Sequence, residues 1–201
     1  MRPVASSSTT PLRLSDQLPA TSTELRGWML SYLADMATRL GNNAAAEAHY
    51  RAALSNDGND RFMLAAFADF LLDQKRPAEV LQWLRGQERV DGLLLRIALA
   101  ERALNDAHWL ASRDLLASRF TAARLRDERV HLREEARFTL WLQDQPKAAL
   151  ELALANWAVQ KEPADARLVL EASRAAGRRD AAREISALLV AGKLEDVKFT
   201  N

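Results

Sequence analysis

Few residues in this chain of 201 amino acids have the type and spacing that catalysis needs. Cysteine is absent, which excludes disulfides, thiolate nucleophiles and cysteine-ligated zinc. His49, His108 and His131 lie far apart, with no second histidine one helical turn away, so no helical metal pair forms. His49 reads as a surface residue of a helix, and His108 as a structural residue near a helix start beside Trp109. Glu134 and Glu135 are adjacent, so a helix points them to different faces and they do not make a facing acid–base pair. The chain also lacks a glycine-rich phosphate loop, a dinucleotide fingerprint and a nucleophile elbow. It is therefore read as non-catalytic, with no metal and no cofactor.

The remaining candidate chemistry is recognition by charge. The chain holds 28 basic and 27 acidic residues, a net charge of +1, so no global field draws in nucleic acid or an anionic membrane. Binding must depend on local clusters. Arg133 and Arg137 form a like-charge pair at i,i+4, whereas Arg167 and Glu171 form an opposite-charge pair at the same spacing.

The elements that would position these residues are helices. Apolar residues make up 48% of the chain and charged residues 27%, with only 7 glycines and 6 prolines, a folded and helix-favouring composition. No apolar run approaches the roughly 20 residues of a membrane helix, so no membrane insertion is expected. Residues 1–23, rich in Ser, Thr and Pro, read as a flexible lead-in without the apolar core of a secretory signal. As written the chain is expected in the cytoplasm. Residues 192–201 read as a C-terminal tail.

From Glu24 onward the apolar pattern has a helical period, as in Trp28, Tyr32, Leu33, Met36, Ala37 and Leu40. Turn signals punctuate it at Gly41-Asn42-Asn43, at 55–60 (SNDGND), at Lys75-Arg76-Pro77, at 144–146 (DQP), at 161–163 (KEP) and at 176–180 (AGRRD). About ten helices of 11–19 residues are expected, and no segment alternates as a strand does. Steps of 34 residues from Gly41 land on Lys75, Trp109, Gln143 and Gly177. The same step carries Ala46 to Val80, Asp114, Ala148 and Ala182, and Ala34 to Ala68, Arg102, Ala136 and Leu170. Small residues thus recur at two slots, with the middle unit as the exception. A period near 34 with two helices per unit marks a helical repeat array.

On these residues the chain resembles the tetratricopeptide repeat (TPR) family. Ala34, Gly41, Ala46, Tyr50, Ala53 and Leu54 of the first unit occupy the motif's small, turn, small, large, small and large positions. The second unit keeps Ala68 and Pro77, the fourth Ala136, Ala148 and Ala155, and the fifth Gly177 and Ala182; the third, at 95–128, fits poorly. The segments HLREEARF and NWAVQKEPADARLVLEA also look like the C-terminal half of longer bacterial TPR proteins. A missing N-terminal half could then carry an export signal, which would place the protein in the periplasm.

The resemblance implies an all-α, right-handed superhelix of about five antiparallel helix pairs over 24–191. It also implies that the first helix of each pair lines a concave face. The inward positions are then Trp28, Ser31, Asp35, Thr38 and Arg39; Phe62, Ala65, Asp69, Leu72 and Asp73; and Arg96, Leu99, Ala103, Asp106 and Ala107. The last two units give Val130, Arg133, Arg137, Leu140 and Trp141, and Ala164, Arg167, Glu171, Arg174 and Ala175. Acidic Asp35, Asp69 and Asp73 stand toward one end, and Arg96, Arg133, Arg137, Arg167 and Arg174 toward the other, with Trp141 and Leu140 as apolar floor. The expected function is a protein–protein interaction scaffold taking an acidic peptide or a carboxylate by bidentate arginine contacts. The alternative is self-association through the first helix, whose Trp28, Met29, Tyr32 and Leu33 are rich in apolar surface for an array end.

Overall fold

The computed structural model describes residues 23–126, 128, 131–192 and 196–197. Among these, ten helices and no strand are present: α1 Thr23–Arg39, α2 Asn43–Asn56, α3 Arg61–Asp73, α4 Pro77–Trp83, α5 Asp91–Ala103, α6 Trp109–Leu125, α7 Leu132–Trp141, α8 Pro146–Val159, α9 Pro163–Ala175 and α10 Arg179–Ala191. Residues 1–22 of the expected lead-in, and all of the expected tail except 192, 196 and 197, lie outside the described residues. The fold is all-α, with consecutive helices packed on one another. Helix lengths run from 7 residues in α4 to 17 in α1 and α6, so the range is wider at its short end than expected.

One local device closes five helices. A residue in the left-handed region follows α1, α3, α5, α7 and α9: Gly41, Lys75, Asn105, Asp144 and Gly177. After four of them the next amide reaches back five residues: Asn42 to Ala37, Arg76 to Leu71, Asp106 to Glu101 and Arg178 to Ser173, at 2.8–2.9 Å. After Asp144 the reach is longer, from Gln145 to the Thr139 carbonyl at 3.0 Å. These bonds satisfy carbonyls that the helix end leaves without partners, and the positive φ reverses the chain. Proline then opens α4, α8 and α9, where its missing N–H is not needed.

The turns also correct the 34-residue step. The third turn centres on Asn105 rather than Trp109, and the fourth on Asp144 rather than Gln143. The buried alanines shift with them. Ala98 takes the slot assigned to Arg102, and Ala149 the one assigned to Ala148; both are fully buried. Asp114 is exposed, and α6 instead buries Leu116 and Phe120. Ala34, Ala68, Ala136, Leu170, Ala46 and Val80 are buried.

The chain divides into two compact units, 1–67 and 68–201, with the division inside α3. In the first unit α1 packs on α2. Ala34 and Ala46 have no exposed surface, and Tyr50 stacks on Phe67 with ring centroids 5.4 Å apart. A leucine at 46 has no room, so Ala46→Leu is expected to cost about 1–3 kcal/mol through overpacking. Ala44 is exposed, and Ala44→Leu is expected to leave the melting temperature nearly unchanged. Thermal denaturation of the two variants checks this; equal losses would contradict the packing described.

In the second unit α4 packs on α5, α5 on α6, α7 on α8, α8 on α9 and α9 on α10, while α5 also touches α7 and α7 touches α9. Alternate helices therefore lie side by side. One apolar cluster gathers Leu94, Leu95 and Ala98 of α5 with Leu116 and Phe120 of α6 and Phe138 of α7. Another joins α7 to α10 through Ala136, Ala149, Ala153, Ala166, Val169, Ile185 and Leu189. These alanines allow close helix approach, and the branched residues fill the gaps between them.

Candidate binding site

The side-by-side run of α5, α7 and α9, with the C-terminal half of α3, carries a network of arginines and carboxylates. Arg96 and Arg137 both grip Asp69 through paired hydrogen bonds: Arg96 at 3.0 and 2.7 Å, Arg137 at 2.9 and 2.5 Å. Arg96 also donates to Glu134 at 3.1 Å and to the Gly92 carbonyl at 2.8 Å. Arg133 grips Asp165 and reaches Glu162. Arg133 and Arg137 are thus like charges one turn apart that diverge to separate carboxylates.

The charges decide the protonation states. Burial alone would raise the Asp69 carboxyl, but the Arg137 and Arg96 guanidiniums outweigh it and hold the group far below the ordinary carboxylate range. Glu134 is also pulled down, with burial opposed chiefly by Arg96 and Arg137. Glu171 goes the other way: burial raises it despite the charges of Arg167, Arg137 and Arg174.

Beside this network lies a pocket of about 270 Å³. Leu72, Leu99, Leu168, Trp141 and Ala164 form its apolar walls; Asp69, Asp73, Arg133, Arg137, Arg167 and Glu171 supply its polar lining. The Arg137 guanidinium lies 5.0 Å from the centroid of the Trp141 ring, which fixes both. All of these except Leu168 are among the inward positions inferred from the sequence. They come together because each occupies the same face of its helix and alternate helices are neighbours. Leu168 follows Arg167, and its apolar type alone reads as core. Of the other inward positions, Val130 lies outside the described residues.

Not every inferred binding residue joins this pocket. Asp35 pairs with Arg39 at 2.9 Å on α1, in the first unit. Arg174 is exposed and lines a separate hollow with Leu170, Arg179, Ala182, Arg183 and Ser186. Arg167 does not pair with Glu171 as the i,i+4 spacing suggested. It turns to Asp196 at 3.3 Å and Asp73 at 3.6 Å, long contacts that leave its Nε without an acceptor. Among the described residues none donates a hydrogen bond to Glu171, which borders the pocket.

That isolation gives a prediction with a definite sign. A carboxyl whose folded pKa is raised weakens the fold once it must ionise, so its contribution falls as pH rises through that value. Glu171→Gln is expected to stabilise the protein at neutral pH by up to about 1 kcal/mol, the usual scale of one polar contact. The gain should disappear by about pH 3, well below the ordinary Glu value, where the carboxyl is protonated in both states. Melting curves at both pH values check this.

No histidine lines this pocket. His49, read as a surface residue, is buried on α2, its Nδ1 has no partner, and burial lowers its pKa. His108 is exposed; its pKa is raised, chiefly by the hydrogen bond to Asp106 at 2.7 Å. Glu134 and Glu135 point apart, to Arg96 and Arg124 respectively. Among the described residues, no group of His, Asp and Glu is placed to hold a metal ion. No described helix is long and apolar enough to cross a membrane. Compared with known protein families, curated proteins and solved structures, the chain finds no match.

Proposed function

We propose that the protein is a non-catalytic interaction module of the TPR-like kind. In this reading the pairs α5–α6, α7–α8 and α9–α10 are consecutive repeats of a right-handed solenoid, and α1–α2 repeats the same local design. The face of alternate first helices takes a segment of a protein partner. The observation that carries this is the pocket itself: leucine and tryptophan walls beside a rigid ionic frame. Most arginine donors of that frame serve protein carboxylates. Its task is to hold α3, α5, α7 and α9 at fixed spacing while an apolar side chain of the partner enters. Arg167, with its long contacts, is the anchor left for a carboxylate of an acidic segment.

Selection from a displayed random-peptide library tests this. Ala164 is exposed at the pocket mouth, so Ala164→Trp fills the pocket with little cost to the fold. Ala175→Trp, exposed on the same helix and outside the lining, is the control. Wild type and control are expected to enrich one consensus, and Ala164→Trp to lose it by tenfold or more in affinity. Equal binding by all three, or no enrichment, would remove the proposal.

A second reading, self-association through α1, is favoured by a different observation. Leu25, Trp28, Tyr32, Met36 and Leu40 form an exposed stripe at helical spacing, with Trp28 64% and Tyr32 56% exposed and their rings stacked 6.0 Å apart. A stripe of this kind is characteristic of a contact surface. Sedimentation across a concentration series, with Trp28→Ser as the comparison, separates it from the pocket reading.

A further inference from the structure

The arginines of this protein divide into two populations. Those of the network, and most of those on the surface, have a carboxylate within ion-pair distance, as in Arg76–Glu79, Arg102–Asp144, Arg113–Asp114, Arg119–Asp91 and Arg178–Asp180. Arg174, Arg179 and Arg183 do not, among the described residues, although Glu171 acts on Arg174 through its field. These three line one hollow between α9 and α10, with Leu170 and Ala182 as its apolar part and the Ser186 hydroxyl at its side. Arg61, Arg85 and Arg89 also have no carboxylate partner, but they do not line this hollow.

Three guanidiniums around one depression repel one another, a cost that most other exposed arginines relieve with a nearby acid. Here the acids are turned away. Asp180 is committed to Arg178 at 2.7 Å, and the side chain of Ser186 bonds the Ala182 carbonyl at 2.8 Å. Arg183 spends its Nε on the Arg179 carbonyl at 3.3 Å, and its terminal nitrogens make no ion pair among the described residues. The remaining donors match a cluster of carboxylates in both charge and fork geometry.

We propose that this hollow is a docking site for a short acidic segment of a protein partner, separate from the pocket between α3, α5, α7 and α9. The extent of the charge selects the class of partner. A nucleic acid needs a basic track longer than three residues, and the exposed Glu184 next to Arg183 and Asp180 next to Arg179 would meet its backbone. Two or three successive Glu or Asp residues fit within the hollow and end before those acids. An aliphatic stem packs on Leu170.

The test is direct binding of a fluorescent oligoglutamate peptide to the full chain by anisotropy, with a single-stranded oligonucleotide and inorganic pyrophosphate as parallel probes. The peptide is expected to bind with an affinity that falls steeply with added salt. Arg174→Ser, Arg179→Ser and Arg183→Ser combined should reduce it tenfold or more while circular dichroism stays unchanged. The paired substitution Arg61→Ser with Arg85→Ser should leave binding as in wild type. Ala164→Trp should also leave it unchanged, which separates this site from the pocket. Absence of peptide binding, equal binding by the triple variant, or tighter binding of the oligonucleotide would each overturn the proposal.

Discussion

Asp69→Ala is expected to lower the free energy of unfolding by about 3–5 kcal/mol, the usual cost of leaving a buried charge without its partner. Two charges lose their partner at once. The Arg96 side chain is 5% exposed and that of Arg137 is 11% exposed, so neither can recover water cheaply. Arg96 would retain Glu134 and the Gly92 carbonyl, whereas Arg137 has no other carboxylate within ion-pair distance among the described residues. The same link has a pH signature. Because the folded carboxyl of Asp69 lies far below its unfolded value, its contribution is complete above the unfolded pKa and declines as pH falls toward the folded one. Wild type should therefore lose stability on acidification below about pH 4, and Asp69→Ala should lose less. Chemical denaturation across acid pH measures both. Combining Asp69→Leu with Arg96→Met, Arg137→Met and Glu134→Gln should recover much of the loss, since neutral side chains of similar volume avoid the desolvation of the charges and leave no unpaired carboxylate at 134.

Asp165→Ala is expected to cost about 3–5 kcal/mol for a related reason, with a helix start added to the ion pair. The Asp165 side chain has no exposed surface and accepts from four donors. Arg133 supplies two bonds, Asn156 of α8 one at 2.7 Å, and the Glu162 backbone amide one at 2.9 Å. The last closes the first turn of α9, where backbone amides otherwise lack partners. Alanine removes the acceptor of Asn156, leaves Arg133 with Glu162 alone and frees the α9 start, which bears on Ala164 and Arg167 of the pocket. Asp165→Asn keeps the shape and loses the charge, so it should fall between wild type and alanine. Denaturation of the pair, with hydrogen exchange at residues 162–168, resolves the local from the global effect.

The candidate face was more legible in the sequence than the exact repeat. The TPR resemblance implied one face for Asp69, Leu99, Arg137 and Arg167, carried along the chain by the near-constant interval between first helices. The interval failed where a loop changed length. The stretch after α5 needs five residues before α6 begins, and Asp144 adds one residue to the turn after α7. Non-glycine residues, Lys75, Asn105 and Asp144, hold three of the left-handed turns, so glycine alone could not mark them. Arg167 was assigned to Glu171 from i,i+4 spacing, yet Asp73 and Asp196 lie nearer in space. Long-range carboxylates outcompete a local one when helices stack, and spacing along one helix carries no sign of that. The signal for Arg179 and Arg183 was present in the segment RRDAAREIS, as two arginines one helical turn apart. Nothing in the chain order places Arg174 beside them.

The two readings of the function assign the partner to different surfaces, and each surface carries a tryptophan. Trp141 lines the pocket, and Trp28 stands on the α1 stripe. With five tryptophans in the chain, each indole N–H is resolvable in a two-dimensional nitrogen–proton spectrum and assignable by single Phe substitutions. The most direct measurement is that spectrum during titration with the peptide enriched on wild type. The account predicts a progressive shift of the Trp141 indole, none at Trp28, and loss of the Trp141 response in Ala164→Trp. A shift confined to Trp28, with Trp141 unmoved at saturation, would contradict it.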